Sequence, residues 1–121
     1  MHGVPGDLPL QRFVGDALFQ VGIGCDGVHF TFGRAGTICA FGLWQLHDDS
    51  GTLLDQTQEH GERKCYRIHC ILNADVTGFT IDPPRSFSLR FSTGHRLTIV
   101  DDTPRYESCT ISFTGGPEVI I

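Results

Sequence analysis

Basic residues are scarce: nine Lys and Arg stand against fourteen Asp and Glu, and the formal net charge is −5 over 121 residues. Phosphate recognition depends on clustered Lys and Arg, so this balance argues against a nucleic-acid-binding module. Long apolar runs are missing too, and no stretch approaches the ~20 residues a spanning helix needs, which predicts no membrane partner. The opening MHGVPGDLPLQRF has neither the basic nor the apolar region of a secretory signal. Cysteines 25, 39, 65, 70 and 109 form an odd set without a secreted spacing pattern. Free thiols in a reducing cytoplasm are expected.

What is present is two-residue alternation, and it occurs twice. GVHFTFGRAGTICAF (27–41) aligns without a gap on SFSLRFSTGHRLTIV (86–100). Val28, Phe30, Phe32, Ile38 and Ala40 then fall on Phe87, Leu89, Phe91, Leu97 and Ile99. Each copy has turn residues in its middle, GRAG or STGH, as in a β-hairpin with one buried face. VGI (21–23) and FTI (79–81) add a strand to each copy, giving two three-stranded meanders at about 21–41 and 79–100. Two units are too few for a solenoid. The expected architecture is one mostly β (α+β) domain over 1–121, its two antiparallel meanders sharing a core as a sandwich or partly open barrel.

Between the copies, FGLWQL and TLLD flank HDDSG and predict a further hairpin. ERKCYRIHCIL (62–72) places Cys65, Ile68, Ile71 and Leu72 at helical spacing, which predicts a short helix closed by Asn73. Pro83 and Pro84 suit a turn or an edge. A last strand is expected from near Tyr106 to about Phe113, with EVII as a terminal edge strand.

Few spacings carry chemistry. GIGCDG (22–27) has the glycines of a dinucleotide fingerprint, but a strand follows where the fingerprint requires a helix, so it reads as a turn. His60, Cys65, His69 and Cys70 offer metal-ligating atoms, with Cys65 and His69 at i and i+4 of the expected helix. Without a CxxC or HxxxH pair they read as buried thiols and a half-exposed imidazole, and no cofactor is expected. A small metal-dependent enzyme using Cys65, His69 and Cys70 stays as an alternative. His29, His47, His60, His69 and His95 could approach Cys25, Cys39 or Cys109, yet no nucleophile elbow or papain-like run presents a thiol. The Asp48-Asp49 and Asp101-Asp102 pairs lie in expected turns and read as turn caps. These residues predict a protein that is not an enzyme.

From His47 to Glu62 the chain carries Asp48, Asp49, Asp55, Glu59 and Glu62 without a Lys or Arg. This is a solvated face or a patch steering a basic partner. Arg85, Arg90, Arg96 and Arg105 fall in the second half, so a polarised molecule is expected.

WQL at 44–46, the duplication, the STGHRLTIV run and the closing YESCTI resemble a family of small bacterial β-rich domains. Its members carry a strand ending in Trp-x-Leu, a run of the type LxFxxGxxLxV, and Tyr-Glu-x-Trp leading into the last strand. The resemblance extends from about Leu10 to Ile121, and Cys109 stands where that family usually has Trp. It implies a cytoplasmic immunity protein, of the kind that neutralises a secreted or contact-dependent toxin, and transfers no active-site residue. The expected function is binding a cognate protein toxin through Asp48, Asp49, Asp55, Glu59, Glu62, Tyr106 and Glu107. A nuclease toxin would present a basic cleft to the acidic segment. The alternative is a structural module, homodimerising through exposed edge strands.

In YESCTISF, Glu107, Cys109, Ile111 and Phe113 share one face and Tyr106, Ser108, Thr110 and Ser112 the other. Cys109 is therefore expected in the core, with its thiol pKa raised and its reactivity low.

Overall fold

A computed structural model describes residues 2–58, 62, 64–102 and 107–121. Among the described residues ten strands form two five-stranded antiparallel sheets, ordered β1-β2-β3-β9-β10 and β5-β4-β8-β7-β6, and these sheets do not close into a barrel. The first holds β1 (Leu18–Ile23), β2 (Val28–Phe32), β3 (Gly36–Ala40), β9 (Cys109–Phe113) and β10 (Glu118–Ile120). The second holds β4 (Trp44–His47), β5 (Leu53–Gln56), β6 (Val76–Asp82), β7 (Ser86–Phe91) and β8 (Arg96–Val100).

The strand alternation decides which side chains meet between the sheets. Phe30, Ile38 and Ile111 lie in register across the first sheet, and Leu46, Leu97 and Leu89 across the second. All six are buried, with Trp44, Phe87 and Ile99 beside them. Each such burial contributes roughly 1.5–3 kcal/mol before the entropy of ordering is subtracted. The positions aligned between the two sequence copies, from Val28 with Phe87 to Ala40 with Ile99, are buried in both.

The correspondence runs well beyond the aligned hairpins. The 3₁₀ turns Leu10–Phe13 and Ile68–Ile71 precede β1 and β6, and each buries its first and last residues. Gly15 and Asn73 follow them with φ of 86° and 64°. β1 has a bulge between Leu18 and Gln20, and β6 has one between Val76 and Gly78. The copies bond each other reciprocally: Gly15 N–H donates to Val76 O and Asn73 N–H to Leu18 O, while Leu18 N–H donates to Ala74 O and Val76 N–H to Asp16 O. An isolated bridge joins Ala17 to Asp75, the equivalent residues, at the centre of this exchange. Two similar units thus meet about a local pseudo-twofold axis, with their last hairpins traded: β4-β5 joins β8 of the second unit, and β9-β10 joins β3 of the first.

The helix expected over 62–72 is a four-residue 3₁₀ turn. Ile68 and Ile71 are buried and share a face at three residues per turn, whereas Cys65 and Leu72, the other two members of the helical pattern, are exposed. Asp55 Oδ2 accepts the Arg67 and Ile68 N–H groups at 2.6 and 3.0 Å, so this start is held by β5 and no preceding helical turn forms. Asn73 in the left-handed region then closes the segment.

Candidate functional site

β5 is an outer strand of its sheet. Thr57 N–H donates to Trp44 O (3.1 Å), and by strand alternation Gln56 turns its backbone away from β4. Gln56 N–H is held by the neighbouring Asp55 Oδ1 at 3.0 Å. Against this edge lies a groove of about 840 Å³ bounded by β5, the 64–67 segment, Leu43 and Asp102. Its charged lining is mixed: Asp55, Glu62 and Asp102 with Lys64 and Arg67. Gln56 and Gln58 add amides, and Gln58 pins the 64 segment through both directions, accepting from Lys64 N–H and donating to Lys64 O. A neighbouring cavity of about 420 Å³ is lined by Trp44, Tyr66, Phe41 and Cys25. Tyr66 packs on Trp44 with ring centres 5.7 Å apart, and burial pushes its phenol pKa up.

The acidic residues expected to form one face have separate local duties. Asp48 Oδ1 accepts from Ser50 N–H, Ser50 Oγ–H and Thr52 N–H at 2.7 to 3.0 Å, closing the β4-β5 turn. The bond from the Ser50 hydroxyl, then that from Thr52 N–H, holds its carboxyl below the ordinary value. Asp55 ties β5 to the second 3₁₀ turn through Oδ2, while its Oδ1 accepts the Gln56 N–H within β5. Glu62 pairs with Lys64 at 3.1 Å. Asp49 and Glu107 are exposed. Glu59, Tyr106, His60 and Arg105 lie outside the described residues. Nor are acid and base segregated. β4 pairs with β8, setting His47 beside Arg96, and Arg96 pairs across to Arg90. The acidic turn therefore adjoins the basic strand, because the exchanged hairpin carries it there.

Ser108 departs from the expected outward face. It is fully buried, its hydroxyl donating to Asp101 Oδ1 (2.6 Å) and its N–H to Ile121 O (2.7 Å). Asp101 Oδ2 accepts Gly3 N–H at 2.7 Å, joining the chain's start to its end. Burial alone would raise the Asp101 carboxyl pKa, but its hydrogen bonds, those of Ser108 and Gly3 among them, outweigh that and leave it lowered. Cys109 is completely buried, and desolvation drives its thiol far above the ordinary range.

Cys65 precedes the 3₁₀ turn that contains His69 and Cys70, so the helical face that would have paired Cys65 with His69 does not form. Among the described residues no three His, Cys, Asp or Glu groups gather as a metal site. Two thiol-imidazole pairs do form among the described residues, each at 3.6 Å: Cys39 Sγ with His29 Nδ1, and Cys70 Sγ with His95 Nε2. The first was readable from the sequence, because His29 and Cys39 stand opposite each other in the hairpin turning at GRAG. The second joins segments from different hairpins and has no sequence signal.

Comparison with known proteins adds no relative. No family model, curated protein or solved structure matches the chain. No helix among the described residues is long and apolar enough to cross a membrane.

Proposed function

We propose that this protein acts by binding another protein: an extended, basic segment of a cognate toxin lies in the groove along β5, and the toxin is neutralised by occlusion of its active site. The observation that carries the reading is the groove itself, running beside an outer strand whose Gln56 backbone faces away from its sheet. An extended chain gains main-chain hydrogen bonds at such an edge, while side-chain pockets select its sequence. Three acids, Asp55, Glu62 and Asp102, against Lys64 and Arg67 along the groove, with exposed Asp49 in the adjoining turn, tilt the balance toward Lys or Arg in that segment, in keeping with the net charge of −5. In this reading the protein is a cytoplasmic, acidic immunity protein and does no chemistry on its partner.

The test is calorimetric titration against the product of the adjacent gene, at low and high salt. Asp49→Lys with Glu62→Lys should weaken binding about tenfold or more and flatten its salt dependence, since close charge pairs at interfaces contribute on this scale. Unchanged affinity in the double variant would remove the groove assignment.

A second reading, self-association, is favoured by β1. It is also an outer strand, and Phe19 and Ile23 on it are 76% and 58% exposed. Sedimentation showing a monomer at micromolar concentration would dispose of it.

A further inference from the structure

We infer that Cys70 and His95 form a reactive thiol site that accepts mixed-disulfide modification by a low-molecular-weight disulfide. Cys70 lies on the exposed side of the second 3₁₀ turn, and His95 directly precedes β8, after the Ser92–Gly94 turn. That turn fixes the imidazole: Gly94 takes φ of +92°, Gly94 N–H donates to Phe91 O, and Thr93 Oγ1 lies 2.6 Å from His95 Nδ1. Thr93 Oγ1 also faces His95 N–H at 3.5 Å. In the tautomer whose Nδ1–H donates to the Thr93 oxygen, Nε2 presents its lone pair to Cys70 Sγ at 3.6 Å. Thiol, base and orienting hydroxyl thus stand in the order that activates a nucleophile.

The surrounding charges divide between the two partners. Asp48 in the β4-β5 turn lies close enough to interact electrostatically with His95, and Asp49 packs beside Gly94. Asp55 and partial burial both work against a Cys70 thiolate, burial more strongly, so the isolated thiol is held up. Arg96, the first residue of β8, follows His95 and pairs across to Arg90. The proton therefore has to pass to His95 as the thiol reacts.

In the step, Cys70 Sγ–H gives its proton to His95 Nε2 and the sulfur attacks one sulfur of R–S–S–R. The Cys70–S–S–R bond forms as the R–S–S–R bond breaks, and the leaving thiolate takes the proton from the imidazolium as R–SH. Cys70 is oxidised and the small disulfide reduced, with no further reagent.

Oxidised glutathione supplies the test, with modification at each thiol of the full chain followed by peptide mass spectrometry at neutral pH. Cys25 and Cys65 are exposed thiols in the same molecule and act as internal references. Cys70 should be modified about tenfold faster than either, given the usual gain from an assisting base. His95→Gln should bring Cys70 down to the reference rate without changing Cys25 or Cys65, and Thr93→Val should move the pH profile of the Cys70 rate. The inference is overturned if wild-type Cys70 reacts no faster than the references, a comparison that does not depend on any variant folding. A Cys70 rate indifferent to His95→Gln overturns it equally.

Discussion

Asp55→Ala is the most informative single perturbation, because Asp55 was expected at a partner surface and is found holding two elements together. Its Oδ2 accepts the Arg67 and Ile68 N–H groups, and its Oδ1 accepts Gln56 N–H. Removing a carboxylate that caps backbone donors costs about 0.5–2 kcal/mol. Here the Ile68 donor is partly buried and cannot all be returned to water, so the upper part of that range, about 2 kcal/mol, applies. A chain of this length unfolds with an entropy near 250 cal/mol/K, from about 2.1 cal/mol/K per residue, so Tm should fall by about 8 °C. Asp55→Asn keeps one acceptor oxygen and should lose about half as much. Thermal unfolding followed by circular dichroism reads the shift, and hydrogen exchange at Ile68 N–H localises it. A Tm within a degree of wild type, with Ile68 exchange unchanged, would refute the assignment of Asp55 as the tie between β5 and the 3₁₀ turn.

Further outcomes follow from the same geometry. Asp101 and Asp48 have lowered carboxyl pKa values in the folded protein, so their contribution is complete above the ordinary carboxyl range near pH 4 and is lost as pH falls through the lowered values; urea unfolding should show this acid loss shrinking in Asp101→Asn. Ile111→Ala, at the middle of the first sheet, should cost about 2–5 kcal/mol by chemical denaturation, as buried Ile truncations do. Gly36→Ala should destabilise by about 3 kcal/mol or more, since φ is +141° and the added Cβ would overlap Ser112 O in β9. Deleting 107–121 removes two strands from the first sheet; hydrogen exchange should then rise more in β1–β3 than in β6–β8.

The alternation in 27–41 and 86–100 made both meanders legible, because every second residue there is apolar and the turns carry glycine. The hairpin from Trp44 to Gln56 and the edge strand at 118–120 were legible for the same local reason. Hairpin exchange was not. Which outer strand receives β4 or β9 depends on contacts between residues far apart in sequence, such as Gln45 with Thr98 and Cys39 with Thr110. That long-range pairing also explains the misread charge pattern, since it places the acidic turn beside Arg96. The helix over 62–72 failed because Ile68 and Ile71 satisfy three-residue as well as 3.6-residue spacing, and the deciding partner, Asp55, lies on β5. Cys109 was read correctly as core from alternation alone, whereas Ser108 is buried by Asp101 and the chain end, which alternation does not register.

The central claim, that a partner strand adds along β5, is tested most directly by Gln56→Pro. The ring occupies the outward face of an outer strand, where proline breaks no bond to β4; it gives up only the local Gln56 N–H bond to Asp55 Oδ1 and fills the space an added strand would use. Titration with the product of the adjacent gene should show affinity reduced about tenfold or more, equivalent to roughly 1.4 kcal/mol, with Tm changed by only a few degrees. Wild-type affinity in a folded Gln56→Pro protein would contradict the account.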